Sequence, residues 1–220
     1  MQTSQLQYSV IHFKDFETAH VPDILQEIYL QKIYYPYLSG KKDAVIFDIG
    51  LNIGLFSLYA SKYASTVYAF EPSADIFKIA KQNIEENGMT NVKLFQKAIA
   101  PKDGKATFYH STNETMFSLN PAVNDNKEKE EVETIRLDTF VKQEKIEHID
   151  LIKMDIEGTE SEIFTSESFK NIVPITDCMV YEWHTWNISN PNVINHGLME
   201  YGFEKIIKLN TQATVFACTK

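Results

Sequence analysis

The sequence predicts an α/β fold whose sheet is mostly parallel and ends in an antiparallel hairpin. Short apolar runs rich in β-branched residues, typical of buried parallel strands, alternate along the chain with amphipathic segments of helical period. At the C-terminal end, two strand-like runs at 203–209 and 214–218 flank Asn210, as expected for a hairpin. No linker or internal repeat divides the 220 residues, so we expect a single domain over residues 1–220.

The chain is organised around residues 45–54, which read V-I-F-D-I-G-L-N-I-G. Residues 45–47 form a short apolar run that Asp48 ends, and Gly50 and Gly54 then bracket a tight turn. Apolar residues recur after the turn at helical spacing. A buried strand, a glycine turn and a helix form the first half of a nucleotide-binding βα unit.

The turn favours a ligand with a positively charged group over a dinucleotide. Gly50 and Gly54, with Asn52 between them, do not form the G-x-G-x-x-G pattern of dinucleotide sites. Asp48 would repel a pyrophosphate, but it suits an ammonium group such as the one at the methionine end of S-adenosylmethionine. Glu71 follows the next strand, where an acid can accept both hydroxyls of a ribose. Two alternatives stay open, because NAD enzymes share this trailing acid and a glycine turn can serve packing alone.

The middle of the chain continues the alternation of helix and strand. A helix is predicted over 73–87 and a strand over 92–96. By analogy with folds of this kind, Lys97 and Ala98 would flank the adenine. The charged run at 125–133, D-N-K-E-K-E-E-V-E, predicts a solvated loop or hairpin tip.

Two later strands bring acidic residues and a histidine to one edge of the sheet. The strand at 149–154 ends at Asp155, and Glu157 follows closely. The next core strand ends in E-W-H, so that Glu182 and His184, two positions apart, project to the same side. Ligands of open α/β sheets bind at the carboxyl ends of the strands. We therefore expect these four side chains to meet at the ligand site.

Two interpretations of Glu160 remain open. This residue lies in the first turn of the next predicted helix, where the helix dipole favours an acid, so a structural role explains it as well as a functional one. Thr159 and Glu162 are predicted to form a capping box at the start of that helix.

Residues 1–42 are predicted to form a helical cap or lid on a core at 43–220. A helix fits residues 22–33, and several tyrosines lie around it. One interpretation is a helix that only covers the sheet. The other is a lid in which a tyrosine, Tyr35, touches the substrate or the cofactor.

Composition narrows the possible partners and the compartment. A net charge of −9 without a dense basic run argues against a broad nucleic-acid surface. No apolar run approaches the roughly 20 residues that a membrane span needs, and the first residues lack a signal-peptide pattern. Cys178 and Cys218 lie in predicted strands without metal-type spacing and are expected to be buried thiols. These features predict a cytoplasmic protein and leave its oligomeric state open.

Four motifs together resemble those of the FkbM-type methyltransferases. They are D-I-G-L-N-I-G at 48–54, E-P at 71–72, K-M-D-I-E-G-T-E at 153–160 and the strand end E-W-H at 182–184. The chain departs from the usual family turn at Leu51, where the family commonly has Ala. The resemblance implies a Rossmann-like class I methyltransferase fold with a seven-stranded sheet. It also implies S-adenosyl-L-methionine as the methyl donor and S-adenosyl-L-homocysteine as the product.

The activity implied by the resemblance is O-methylation of a hydroxyl on a sugar, glycan or natural product. The expected partner is therefore a small-molecule or glycan acceptor. A non-catalytic binding module with this fold and, less favoured, an NAD-dependent oxidoreductase are the alternatives.

Each candidate residue then receives a role. The cofactor is expected to contact Asp48, Gly50, Asn52, Gly54, Glu71, Pro72, Lys97, Ala98 and Asp155. An alcohol acceptor needs a base, and His184 is predicted to be that base because an imidazole pKa of about 6.5 suits proton transfer near neutral pH. Asp155 or Glu182 would orient the ring, and Glu157 and Tyr35 would contact the substrate.

A metal site is a further alternative at the same edge of the sheet. Asp155, Glu182 and His184 could in principle hold a divalent ion, for which this mixed donor set favours manganese or iron over magnesium. The family resemblance does not imply a metal, so none is predicted.

Overall fold

The computed structural model describes seven stretches of the chain, namely residues 2–6, 9–14, 21–110, 117–119, 128–184, 191–209 and 215–220. The strands in chain order are β1 Gln2–Leu6, β2 Ser9–Phe13, β3 Ala44–Ile49, β4 Ala64–Phe70, β5 Val92–Phe95, β6 Ala98–Ile99, β7 Gly104–His110, β8 Phe117–Ser118, β9 Glu128–Ile135, β10 Leu151–Met154, β11 Cys178–Glu182, β12 Lys205–Lys208 and β13 Val215–Thr219. The α-helices are α1 Val21–Leu25, α2 Tyr35–Leu38, α3 Leu55–Ala60, α4 Ala74–Glu86, α5 Leu137–Glu144, α6 Glu160–Thr165, α7 Glu167–Ile172 and α8 Pro191–Glu200.

A seven-stranded sheet forms the centre of the fold, in the order β12-β13-β11-β10-β3-β4-β5. The five strands from β11 to β5 run parallel to one another, and β13 runs antiparallel to both of its neighbours. The predicted Rossmann-like sheet with an antiparallel C-terminal pair is therefore confirmed. Residues 210–214, between the two last strands, lie outside the described residues.

Both faces of this sheet are buried because its central strands are apolar on both sides. Successive residues of β3 join different hydrophobic clusters, with Ile46 in one and Phe47 in the other. Every residue of β10 is buried. This pattern is that of a parallel sheet covered by helices on both faces.

A second sheet, in the order β6-β9-β7-β8, follows the central strands β3 to β5 along the chain. The prediction of a solvated loop or hairpin tip at 125–133 is corrected for residues 128–133, which belong to strand β9, while residues 125–127 lie outside the described residues. Charged residues are compatible with this strand because they pair across the sheet, as Lys105 does with Glu131 and Lys97 with Glu133. The sequence alone does not show these pairs, since their members are far apart along the chain.

The N-terminal segment is helical only in part. Strands β1 and β2 form an antiparallel hairpin that the sequence analysis did not predict. The predicted helix at 22–33 is found as α1 followed by a π-helical turn at Gln26–Gln31. This segment packs on α3, where the Tyr29 hydroxyl donates to the Leu55 carbonyl oxygen at 3.1 Å. None of the helices in the described parts of the chain has the length and apolarity that a bilayer span requires.

Candidate active site

A cavity opens at the carboxyl ends of β3, β4 and β10, the edge at which open α/β sheets bind ligands. It encloses about 640 Å³, including the part open to solvent. Its walls come from the central sheet, the second sheet and the segment before α6. The lining residues are Ile49, Gly50, Asn52, Phe70, Glu71, Pro72, Ile76, Lys97, Ala98, Ile99, Phe108, Leu119, Asp155, Ile156, Glu157 and Thr159.

Most of the predicted cofactor residues lie in this wall. They are Gly50, Asn52, Glu71, Pro72, Lys97, Ala98 and Asp155. Two apolar lining residues that the sequence analysis missed, Phe108 and Leu119, come from the second sheet and its surroundings. No local signal marks them, because they reach the cavity through the packing of one sheet against the other.

Glu71 is the buried acid of the cavity. Its Oε2 accepts a hydrogen bond from the Asn52 amide at 3.0 Å, and its Oε1 accepts one from the Ser73 amide at 3.1 Å. Burial raises the pKa of Glu71 to about 7, against the opposing effect of these two amides. Each carboxylate oxygen keeps a further lone pair, so the group can still accept hydroxyls from a bound ribose.

The turn after β3 is glycine-rich for a steric reason. A Cβ on Gly50 would overlap the carbonyl oxygen of Asp155, and Gly50 itself has a φ of +84°. Asn52 takes a left-handed φ of +50° and its side chain accepts a hydrogen bond from the Ile53 amide. Gly54 has a φ of +91° and begins α3, where it faces Ile84. Gly54 therefore shapes the turn and does not form the cavity wall predicted for it.

The prediction that Asp48 binds the cofactor is corrected by its burial. Asp48 is completely buried, and its Oδ2 accepts a hydrogen bond from the Ser57 hydroxyl at 2.6 Å. Its Oδ1 lies 3.4 Å from Nζ of Lys153, which also donates to the Gly50 carbonyl oxygen at 2.5 Å. The ammonium partner of this carboxylate is therefore a lysine of the protein.

Lys153 is a site residue that the sequence analysis missed. It lies in register with Asp48 on the neighbouring parallel strand, so both side chains emerge on the same face. Burial lowers the pKa of Lys153, but the charges of Asp48 and Asp155 outweigh that effect and raise it. A usable signal was present, since a lysine inside the apolar strand L-I-K-M needs a buried anionic partner.

A group of four side chains, here called the histidine cluster, lies beside the cavity. Its members are Asp155, Glu157, Glu160 and His184. Nδ1 of His184 is 3.0 Å from Oε1 of Glu160, while its Nε2 is 3.2 Å from Oε2 of Glu157 and 3.7 Å from Oδ1 of Asp155. Asp155 and Glu157 form cavity wall, and the buried ring of His184 lies behind them.

The charges in the histidine cluster shift the pKa values of its members. Burial alone would lower the pKa of His184, but the hydrogen bond with Glu160 and the charges of Asp155 and Glu157 raise it to about 10. Burial raises the pKa of Glu157, the charges of Asp155 and Glu182 add to this rise, and His184 opposes it. Glu182, predicted to orient the ring, acts on the cluster through its charge, whereas the carboxylate at Nδ1 of His184 is that of Glu160.

The structure also resolves the role of Glu160. This residue is fully buried, and Oε1 accepts a hydrogen bond from the Ile156 amide at 3.1 Å as well as facing His184. The predicted capping box does not form, because the Thr159 hydroxyl donates to the Ile156 carbonyl oxygen. Glu157 has a φ of +54°, an uncommon backbone conformation for its residue type that directs the chain between β10 and α6.

Tyr35, the tyrosine predicted to contact the substrate, lies at the surface. Tyr35 is 44% exposed, and Nζ of Lys32 lies 6.0 Å from the centre of its ring. Tyr34 is buried instead, with its ring 4.6 Å from that of Phe56. Burial raises the pKa of Tyr34, and the charge of Asp155 raises it further.

The cavity suits an adenosine-type ligand that carries a second polar end. Ile76, Ile99 and Phe108 supply apolar surface for a base, and Glu71 supplies a buried acceptor for a ribose diol. Asp155, in the wall at the other side of the Gly50 turn, supplies a carboxylate for a charged tail. This combination within a seven-stranded, mostly parallel sheet defines a Rossmann-like methyltransferase.

The sequence comparisons identify the family within that class. A model of the family "Methyltransferase FkbM domain" matches residues 48–208, so the chain belongs to the FkbM methyltransferases. Its methyl donor is S-adenosyl-L-methionine. Membership supports methyl transfer over the alternative of an NAD-dependent oxidoreductase.

Individual relatives agree with this assignment. The chain is 29% identical over 161 residues to "Methyltransferase 1" of Beauveria bassiana, an alignment that covers 64% of each chain. It is 27% identical over 143 residues to "2-O-methyltransferase NoeI" of Sinorhizobium fredii, covering 57% of this chain and 58% of that protein. The aligned part thus spans less than two thirds of both relatives.

A solved structure supports the fold. The crystal structure of precorrin-6y C5,15-methyltransferase from Geobacter metallireducens superposes with a TM-score of 0.56 at 15% identity, covering 96% of this chain and 98% of that one.

Proposed function

We propose that this methyltransferase acts on a hydroxyl group of a sugar, glycan or natural product. The observation that carries the proposal is the position of Asp155 and Glu157, two carboxylates that line the cofactor cavity and also contact the buried His184. Transfer to a hydroxyl requires removal of a proton, and these carboxylates can accept it at the cavity surface. The name of the relative NoeI, a 2-O-methyltransferase, agrees with oxygen as the methylated atom.

Bound S-adenosylmethionine supplies a methyl group on a positively charged sulfur. In the proposed step, Asp155 or Glu157 takes the proton of the acceptor hydroxyl. The acceptor oxygen forms the new bond to the methyl carbon, and the electron pair of the broken carbon–sulfur bond stays on sulfur. Alignment of the acceptor in the cavity contributes much of the acceleration.

We propose for His184 a role other than the base predicted from the sequence. One ring nitrogen faces Glu160, and the other faces Glu157 and Asp155, so a carboxylate stands between the ring and the cavity. We therefore propose His184 as a positioning residue for these carboxylates and assign the base to Asp155 or Glu157. Glu160, whose role the sequence left open, holds the ring.

The N-terminal segment is proposed to cover the acceptor side of the site. Tyr29 donates a hydrogen bond to the Leu55 carbonyl oxygen, and the ring of Tyr34 packs on that of Phe56, so both tyrosines attach the segment to α3. We thus keep the lid interpretation of the N-terminal segment, limited to residues 21–42.

The test is methyl transfer from methyl-labelled S-adenosylmethionine to acceptors that carry a hydroxyl, an amine or a carbon nucleophile. We expect label in the hydroxyl acceptors only. Glu157→Gln should lower turnover by about 10²–10⁴-fold, the usual span for a general base, with unchanged S-adenosylhomocysteine affinity. Glu162→Gln, which changes an exposed carboxylate in the first turn of α6, is the matched control and should retain full turnover. Label in the amine acceptors would contradict the proposal.

A further inference from the structure

Three potential ligand atoms converge in the histidine cluster. Nε2 of His184 lies 3.2 Å from Oε2 of Glu157 and 3.7 Å from Oδ1 of Asp155, and all three atoms lie within 4.8 Å of one another. Ligands bound to one divalent ion at about 2.0–2.2 Å stand roughly 3–3.5 Å apart. The three atoms therefore need little movement to enclose a cation.

The histidine ring is oriented as it is in metal sites. A metal-bound histidine usually donates its second ring N–H to a carboxylate, which fixes the tautomer and directs the other nitrogen to the ion. Glu160 occupies that position at 3.0 Å from Nδ1 of His184. When an ion binds, the proton on Nδ1 stays with Glu160, and Nε2, which faces Asp155 and Glu157, gives up its proton to the solvent and binds the ion.

A second observation concerns oxygens that lack hydrogen-bond donors. Among the described residues, Oδ1 of Asp155 and Oε2 of Glu160 are buried without a hydrogen-bond donor, and Glu160 as a whole is fully buried. A buried carboxylate oxygen without a partner is costly. The nearby ammonium of Lys153 donates to the Gly50 carbonyl oxygen and lies 3.4 Å from Oδ1 of Asp48. It lies 3.9 Å from Oδ2 of Asp155, so it faces the oxygen of that carboxylate on the side away from His184. A cation held by the cluster would offset this excess of negative charge.

We propose that Asp155, Glu157 and His184 bind one divalent transition-metal ion, with Glu160 as the positioning carboxylate. Two carboxylate oxygens and one imidazole suit manganese or iron(II) better than magnesium, which prefers oxygen ligands alone. Since Asp155 and Glu157 line the cavity, the remaining coordination positions face the acceptor. There the ion would bind the acceptor hydroxyl and lower its pKa, a role that rests on the proposed O-methyl transfer. The carboxylate oxygen of Asp155 or Glu157 that does not bind the ion would take the proton. The binding itself does not depend on that role.

The test uses Mn²⁺ alone as the probe. Protein treated with a chelator and dialysed is titrated with Mn²⁺, and the free ion is followed by electron paramagnetic resonance. We expect one Mn²⁺ per chain in the wild type and loss of that binding in Glu157→Gln and His184→Ala. Glu160→Gln keeps the side-chain shape and should weaken the affinity by about 10–100-fold, as is usual for residues behind a metal ligand.

A second group in the described chain supplies the control. His148, Asp150 and Asp177 also offer three converging ligand atoms, but His148 is exposed and this group is far from the cavity. His148→Ala should leave Mn²⁺ binding unchanged. Thermal unfolding shows whether each variant is folded. If the buried substitution His184→Ala prevents folding, Glu157→Gln, at a half-buried position, still tests the site.

The possible outcomes separate this inference from the proposed function. No Mn²⁺ binding at millimolar concentration, or binding that survives Glu157→Gln, would overturn the metal site. Hydroxyl methylation that continues at full rate in the chelator would overturn the ion's role in activating the acceptor, while it supports O-methyl transfer. Stoichiometric Mn²⁺ binding that disappears in Glu157→Gln would establish the site, even if methylation of a hydroxyl were then not found.

Discussion

The ammonium nitrogen of Lys153 lies 3.4 Å from Oδ1 of Asp48, and both side chains are buried beneath the cofactor turn. The same nitrogen donates to the carbonyl oxygen of Gly50, at the start of that turn. This ion pair connects strands β3 and β10 where the cavity begins. The carboxylate that the sequence assigned to the cofactor thus supports the backbone that forms the cavity wall.

Lys153→Met should lower the free energy of unfolding by about 3–5 kcal/mol, because it leaves the carboxylate of Asp48 buried without its cation. Asp48→Asn should also lower the free energy of unfolding. The double variant should lose less of this free energy than the two single variants lose together. Urea unfolding measures each value. Lys41→Met, which removes a partly exposed ion pair with Asp150, is the control and should cost about 1 kcal/mol or less. Equal urea midpoints for Lys153→Met and wild type would contradict the assignment.

Gly50 and Gly54 allow a paired test of the turn. Both have φ near +90°, but a Cβ on Gly50 overlaps the Asp155 carbonyl oxygen, whereas the nearest atom to a Cβ on Gly54 is Cδ1 of Ile84 at 3.5 Å. Gly54→Ala should therefore cost only the left-handed backbone strain, about 1–2 kcal/mol. Gly50→Ala should cost more and should abolish S-adenosylhomocysteine binding by calorimetry, because β10 must move. Equal effects of the two variants would show that the close approach is unimportant.

The raised pKa of Glu71 predicts that the affinity for the cofactor depends on pH. Its pKa is raised to about 7, and ribose hydroxyls that donate to the carboxylate favour the ionised form. Ligand binding therefore releases a proton below pH 7. Affinity for S-adenosylhomocysteine should rise by up to about tenfold per pH unit as the pH approaches 7 from below, and should level off above it. Calorimetry between pH 6 and pH 8 measures this dependence.

Glu71→Gln is the control, because its amide does not titrate. This variant should bind more weakly at pH 8 by about tenfold or more, the loss expected for a hydrogen bond to a charged group. Its affinity should vary little with pH. A slope equal to that of the wild type would assign the pH dependence to another group.

Variants of Tyr34 and Tyr35 test whether the buried phenol or the exposed phenol contributes to acceptor binding. Tyr34 is buried against Phe56 and its pKa is raised by burial and by the charge of Asp155, whereas Tyr35 faces Lys32 at the surface. Tyr34→Phe should raise the KM for the acceptor several-fold without a change in S-adenosylhomocysteine affinity, since a lost neutral hydrogen bond is worth about 1 kcal/mol. Tyr35→Phe should leave both values unchanged. An effect confined to Tyr35→Phe would restore the original prediction.

Local signals in the sequence were sufficient for the fold class. The apolar run before Gly50, the helical spacing after it and the acid after β4 are short-range patterns, and each folded as the pattern indicates. The gathering of Asp155, Glu157 and His184 at one edge was also predictable, because parallel strands end on the same side of a sheet. The second sheet was missed, since its charged strand is stabilised by ion pairs between distant residues.

The sequence by itself determined the strand–turn–helix unit, the parallel sheet and the identity of the residues at its carboxyl edge. Only the tertiary structure decided which of those residues face the cavity and which face one another. Lys153 binds Asp48, and Glu160 rather than a cavity carboxylate faces Nδ1 of His184. The physical reason is that residue spacing specifies the edge on which a side chain emerges, whereas strand register and burial specify its partner. A buried charge must be paired with an opposite charge within a few ångströms, and that charge lies on another segment of the chain.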